Sequence, residues 1–223
     1  MRLRLDFELD TPQIVVDYRR SFISFLKHCL SDVDEKYYNQ IYGNVDKKDF
    51  TFSTYLNKLT KNGDVFELED NHIIFNMSFQ DDMKGMLFFA AISRQLHKKF
   101  PIKNNNMKLI KVSKGKEIKH FSDCMLFRTM SPILLQYHLQ EKPQDDHYFA
   151  YDEDGFSEFF ELMNKVKFIP VDCKKTVTQH FGLSFQGTLG TFILSGDSYY
   201  IEQLYKRGIG NRCGQGFGMI EAI

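Results

Sequence analysis

The 223-residue sequence has no tryptophan, five prolines, four cysteines and no net charge, its 29 basic residues matching 29 acidic ones. Cys29, Cys124, Cys173 and Cys213 lie far apart, with no C-x-x-C pair. That spacing excludes a disulfide framework and a zinc ribbon, and predicts a reduced, cytoplasmic protein whose thiols have no chemistry. No apolar run approaches the roughly 20 residues that span a bilayer, and MRLRLDFELD alternates like a strand rather than like a signal peptide. No membrane partner is expected. The charge balance excludes a uniformly basic nucleic-acid binder but permits a local patch. Acids gather at Asp145-Asp146 and between Asp152 and Glu161, whereas Lys206, Arg207 and Arg212 outnumber Glu202 and Glu221 near the end of the chain.

Metal and cofactor signatures are missing too. His72, His97, His120, His138, His147 and His180 have no carboxylate or cysteine at metal-ligand spacing, and Asp81-Asp82 fits a helix start better than a metal site. No metal or other cofactor is expected. There is no G-K-[ST] phosphate loop, no dinucleotide fingerprint after a strand, and no RNP-type aromatic motif.

What the chain does have is 22 phenylalanines and 43% hydrophobic residues, enough for two domains of about 100 residues each. The aromatic residues are expected mainly in the core. Period-two alternation predicts a strand at Arg2–Leu9, followed by an amphipathic helix over Val15–Leu30. A strand at Phe50–Leu56 comes next, then a hairpin of Val65–Leu68 with His72–Phe79. A helix over Asp81–Lys98, with Met83, Met86, Leu87, Ala90, Ala91 and Leu96 facing inward, leads to a strand at Met107–Val112. The second half repeats the order. It has a strand at Asp123–Thr129, a loop or insertion from Gln136 to Asp154, and a helix at Phe156–Val166 with Met163 inward. Strands at Val177–Phe185 and Thr188–Leu194 turn through Gln186-Gly187, and a helix at Tyr199–Lys206 precedes a strand at Phe217–Ala222. Each half is close to β-α-β-β-α-β. The fold class is therefore α+β, two tandem ferredoxin-like domains, 1–116 and 117–223, the second ending in a glycine-rich loop.

Residues 208–218 read GIGNRCGQGFG, five glycines in eleven residues. Such density is entropically costly and needs a reason. A tight loop can turn successive N–H groups toward one phosphate, and Arg207 and Arg212 add forked donors while Lys206 adds a point charge. A turned loop without a ligand is the alternative. If the loop holds phosphate, replacing Gly214 and Gly216 with Ala should weaken binding of the phosphate-bearing ligand and leave the fold intact.

The ending QGFGM, between a helix and a last strand, resembles the signature of the RAMP superfamily. DYRRSFISFLKHCL at 17–30, DFTFSTYL at 49–56, FRTMSPILL at 127–135, KKTVTQHF at 174–181 and GTLGTFILSGD at 187–197 are similar to segments of its CRISPR repeat endoribonucleases, the Cas six family. The likeness spans nearly the whole chain. It implies a metal-independent endoribonuclease that cuts CRISPR precursor RNA once per repeat. A 2′-OH attacks the adjacent phosphate, leaving a 2′,3′-cyclic phosphate and a 5′-OH. The implied partner is repeat RNA, as precursor and product, with a homodimer or CRISPR effector-complex subunits left open. A non-catalytic RAMP-type RNA-binding subunit is the alternative.

Such a reaction needs a base, an acid and a cation for the phosphorane. The family usually places a histidine between the first helix and the second strand. Here residues 40–48 have none, and Tyr42 stands where it is expected. The catalytic candidates are His28 as acid or base, Lys48 for the phosphorane, Tyr42 to position ribose or act as a weak base, and Lys27, all assigned to the first domain. The RNA-binding candidates are Lys174, Lys175, Lys206, Arg207, Gly208, Gly210, Arg212, Gly214 and Gly216. His180 is expected to be structural. Arg19 and Arg20 belong either to a solvated face or to the RNA surface.

Overall fold

The computed structural model describes residues 1–33, 35–43, 48–137 and 147–223, apart from the Gln40 side chain. The expectations placed on Asn44–Lys47, His138 and Asp145-Asp146 lie outside the described residues.

The first half runs β1 (Arg2–Leu9), β2 (Gln13–Val15), α1 (Arg19–Ser31), α2 (Glu35–Tyr42), β3 (Phe50–Leu56), β4 (Thr60–Asn62), β5 (Val65–Glu67), β6 (His72–Phe79), α3 (Asp82–Ser93), β7 (Lys99–Ile102) and β8 (Asn105–Lys114). Its main antiparallel sheet has the order β3-β6-β1-β8-β7. Without the added edge strand β7 this is the ferredoxin-like arrangement. The second half runs β9 (Cys124–Thr129), β10 (Leu135–Tyr137), β11 (His147–Phe149), α4 (Phe156–Asn164), β12 (Val166–His180), β13 (Leu183–Gly196), α5 (Ser198–Arg207) and β14 (Ile220–Ala222). Its sheet, β12-β13-β9-β14, repeats the same order. The fold is two tandem ferredoxin-like units.

Fifteen of the 22 phenylalanines are buried, so they build cores rather than an exposed stacking platform. In the first half Phe22 of α1 stacks on Phe75 of β6 at 4.7 Å, and in the second Phe168 stacks on Phe192 at 4.4 Å.

Several expected elements differ. Val15 leaves the expected helix, α1 starting at Arg19, because residues 13–15 pair with Val65–Glu67 in a small sheet, β2-β5-β4. The Val65–Glu67 segment therefore does not form a hairpin with β6, which pairs with β1 and β3. α3 is capped by the Asp81 carboxylate, which accepts from the Met83 N–H, and it stops early as the chain turns through left-handed His97 into β7. Gly85, Phe88, Ala91 and Ile92 face inward, while Met83, Met86 and Leu96 are 72%, 57% and 39% exposed and Ala90 is exposed as well. Met163 of α4 also points outward, and the last strand is shorter than expected.

The long hairpin β12–β13 turns at Phe181-Gly182, with φ of 51° and 76°, not at Gln186-Gly187. Gly187 instead lies within β13. There a Cβ would come within 2.7 Å of the Ile133 carbonyl oxygen, so glycine serves close backbone approach.

The halves are joined by buried polar contacts. Arg2 of β1 donates through Nη2 to the carbonyls of Tyr205 (2.9 Å) and Ile220 (2.6 Å), and its guanidinium lies 3.6 Å from the Tyr205 ring centroid. Burial lowers the Arg2 pKa to about 10, which leaves it charged at neutral pH. Thr51 Oγ1 donates to the Phe217 carbonyl at 2.7 Å.

Candidate active site at the glycine-rich loop

The loop from Gly208 to Gly218 packs against β3 and α1 of the first half, and most of it is buried. Two of its glycines are required by that contact. A Cβ at Gly214 would come within 2.6 Å of the Lys48 side-chain stem. Gly216 has φ of 89°, and its Cβ would overlap the Phe52 ring. Arg19 Nε donates to the Gly216 carbonyl at 3.1 Å. The expectation that Gly214 and Gly216 accept Ala with the fold intact is therefore corrected, because both positions form the joint between the halves. The N–H groups of Gly208, Ile209, Asn211, Gln215, Gly216 and Gly218 all donate to carbonyls within the protein. A phosphate cradle would have to use the remaining N–H groups and neighbouring side chains.

The catalytic candidates separate into two places. Lys27 of α1 and Lys48, just before β3, both reach the Tyr42 ring at the end of α2. Their Nζ atoms lie 5.2 and 6.0 Å from its centroid. Since the Lys48 stem touches Gly214, this lysine pair borders the glycine-rich loop. The Tyr42 hydroxyl is buried without a hydrogen-bond partner among the described residues, and burial, with Cys29 and Tyr38 beside it, raises its pKa well above the ordinary tyrosine value. A role for Tyr42 as a base is corrected on that ground: the ring holds the lysines and the hydroxyl is inaccessible. Cys29 is buried as well, its pKa raised to about 12, and so is unreactive. His28 lies over Phe100 of β7, with centroids 5.4 Å apart, at the sheet edge opposite β3. Nζ of Lys27, its neighbour in the chain, lies over the Tyr42 ring instead.

The RNA-binding candidates are also dispersed. Lys206 pairs with Glu202 at 2.7 Å along α5, and Lys175 pairs with Asp152 at 3.1 Å and Glu153 at 3.6 Å. The buried Nε of Arg207 has no hydrogen-bond partner. Gly208 and Gly210 pack against Thr51 and the Leu134 carbonyl respectively. Arg212, in the left-handed region at φ 57°, donates to the Tyr148 hydroxyl and to Gln215, and lies over Phe185. Lys174 is exposed on β12. Among the described residues no group of three or more His, Cys, Asp and Glu could hold a metal ion, and no helix is long and apolar enough to cross a membrane.

One contact had no sequence signal. The tip of the β12–β13 hairpin reaches across to the start of α1. There Asp17 accepts from His180 Nδ1 at 3.0 Å and from the Phe181 N–H at 2.9 Å. His180 is 0% exposed. Burial lowers its pKa more than Asp17 raises it, and its Nε2 has no partner, so the imidazole is neutral, with Nδ1 carrying the proton. His180 thus has the structural role expected of it, and the partner 163 positions away supplies the reason.

No curated protein sequence matches the chain. Residues 114–222 match the family model described as CRISPR associated protein Cas6, C-terminal. Solved structures share the fold over the whole chain. A Cas6-related protein from Pyrococcus furiosus has a TM-score of 0.84 at 15% identity, covering 100% of this chain and 98% of its own. A RAMP protein described as binding different RNA substrates has 0.83 at 17%, covering 100% and 99%. A Cas6 product complex has 0.71 at 13%, covering 100% of both chains. Residues 114–222 thus resemble a Cas6 C-terminal domain, and the whole chain shares the fold of these Cas6 and RAMP structures.

Proposed function

We propose that this protein is an endoribonuclease that cuts CRISPR precursor RNA within each repeat, with the reacting phosphate held beside the glycine-rich loop. The observation that carries the proposal is the pairing of Lys27 and Lys48 on the Tyr42 ring, against Gly214. The chemistry follows from the cations available. The 2′-OH next to the scissile phosphate attacks the phosphorus, and Lys48 Nζ stabilises the added negative charge of the phosphorane. Lys27 Nζ delivers a proton toward the departing 5′ oxygen. Water accepts the proton of the 2′-OH. The products are a 2′,3′-cyclic phosphate and a 5′-OH, and no metal enters any step. Fixed cations at a developing oxyanion typically contribute about 10²–10³ in rate each. Arg212 and Lys174 would hold flanking phosphates, which fix register without reading sequence.

A second reading is a RAMP-type subunit that binds RNA without cutting it. It is favoured by His28 packing on Phe100 of β7 and by the burial of the Tyr42 hydroxyl. Single-turnover cleavage of the cognate repeat by Lys27→Ala, Lys48→Ala and His28→Ala variants distinguishes the two. Loss of rate in both lysine variants, with His28→Ala retained, supports the enzyme. Tight binding with no cut by the wild type supports the subunit.

A further inference from the structure

The insertion between β9 and α4 lies outside the ferredoxin-like order, and no step of the proposed reaction uses it. Its described strands, β10 and β11, pair antiparallel, with Gln136 opposite Tyr148. This pair, with Leu134 just before it, meets the glycine-rich loop at three points. The Gln136 N–H donates to Asn211 Oδ1 at 2.9 Å, and the Asn211 N–H donates to the Leu134 carbonyl at 2.7 Å. Arg212 Nε donates to the Tyr148 hydroxyl at 3.2 Å.

Arg212 stands out in its loop. Gly208, Gly210, Gly216 and Gly218 take positive φ, and Arg212 alone among the other loop residues joins them, at 57°. A side chain kept in a conformation that favours glycine is a strained feature of the kind found at ligand clamps. Its guanidinium is held on three sides. Nε is engaged by Tyr148, Nη1 donates to Gln215 Oε1 at 3.3 Å, and the Phe185 ring centroid lies 4.6 Å away. Among the described residues no carboxylate pairs with it. Two of the five guanidinium N–H groups are thus engaged. The rest, on Nη1 and Nη2, form the end-on fork that matches two oxygens of one phosphate.

Tyr148 is itself fixed. Its ring meets Phe185 edge-on, with centroids 5.1 Å apart, and its carbonyl accepts from Gln186 Nε2 at 3.1 Å. Gln186 also donates to Glu153, whose other carboxylate oxygen lies 2.8 Å from His147 Nε2. The tyrosine and the arginine therefore share one buried platform, Phe185 of β13.

From these contacts we infer that Tyr148 is a positioning residue for Arg212: its hydroxyl fixes Nε so that the free fork faces a phosphodiester of bound RNA. The inserted β10–β11 pair is the element that carries it there. A flexible arginine loses rotamer freedom when it meets an anion. One held by Tyr148 and Phe185 has lost it beforehand, so more of the contact appears as affinity. The inference rests on the RNA reading above and not on cleavage.

The test is Tyr148→Phe, which keeps the ring on Phe185 and removes only the acceptor. Binding of 2′-O-methyl repeat RNA, which 2′-OH attack cannot cut, is measured over a salt series. The expected result is a Kd raised about 3–10-fold, the worth of one net hydrogen bond, at an unchanged Tm. The slope of log K against log salt should fall by about 0.7 as one phosphate contact slackens. In an Arg212→Ala background the same tyrosine change should add nothing, since the residue it positions is gone. Unchanged affinity, an equal effect with and without Arg212, or a weaker Kd that follows a fall in Tm at constant slope would overturn the inference. The ¹⁵Nε–H resonance of Arg212 gives a reading without RNA. It should be protected from solvent exchange in the wild type and lose that protection in Tyr148→Phe, and equal exchange in the two would overturn the contact. Failure of the wild type to bind RNA would overturn the phosphate role together with the RNA reading, while the Nε resonance would still decide whether Tyr148 fixes Arg212.

Discussion

Gly216→Ala tests the joint between the halves. At φ 89° an alanine carries the left-handed penalty of about 1–2 kcal/mol. Its Cβ also overlaps the Phe52 ring, which is 0% exposed and flanked by Phe75, so the ring has little room to yield. Overpacking of that kind costs about 1–3 kcal/mol. Together the destabilisation is about 2–5 kcal/mol, a fall in Tm of roughly 4–20 °C for a chain of this size. Gly182→Ala is the control. It has φ of 76° at the hairpin turn but no atom within 4 Å of the new Cβ, so only the backbone penalty applies and Tm should fall by roughly 2–8 °C. Differential scanning calorimetry of the two variants beside the wild type measures the contrast. Equal Tm values for both variants would refute the packing argument. A loss of RNA binding in Gly216→Ala then reports displacement of the loop as well as any phosphate contact.

The remaining expectations concern the site and the hairpin. Tyr42→Phe removes a buried hydroxyl that has no partner, so cleavage should be unchanged and stability equal or higher by about 1 kcal/mol in urea unfolding; a large loss of activity would reveal a role for the hydroxyl. Lys48→Ala should slow single-turnover cleavage by about 10²–10³ with little change in affinity, and a purely weakened Kd would reassign it to binding. His180 has a folded pKa below its unfolded value of 6.5, so the folded state binds fewer protons, and stability from this residue is present at neutral pH and lost as pH falls below about 6.5. His180→Gln should therefore flatten the fall in Tm between pH 7 and pH 5 relative to the wild type, and an identical pH profile would contradict the assignment.

The double ferredoxin-like order was legible because strands such as Arg2–Leu9 place Leu3, Leu5, Phe7 and Leu9 at alternate positions, all of them buried, a signal that does not depend on which strands they pair with. Short segments were misjudged where partners distant in sequence decided the outcome. Residues 13–15 satisfy their backbone on Val65–Glu67, and Gly187 answers to Ile133, neither of which a local pattern reveals. Helical spacing places Met83 and Met86 inward, yet α3 is apolar on most of its faces, so spacing does not select the buried one. The glycine-rich loop was visible as a composition anomaly, but its contact with Phe52 and Lys48 is a property of the docked halves. The candidate lysines were named individually, and only the position of Tyr42 at the end of α2 brings two of them together and leaves His28 elsewhere.

The most direct test of the proposed reaction is incubation of the wild-type protein with its cognate repeat RNA in excess EDTA, beside the same RNA carrying a 2′-deoxy sugar at the nucleotide before the cut. The predicted result is a single cut in EDTA, ending in a 2′,3′-cyclic phosphate and absent from the 2′-deoxy substrate. Cleavage that needs added divalent metal, or that persists on the 2′-deoxy substrate, would contradict it.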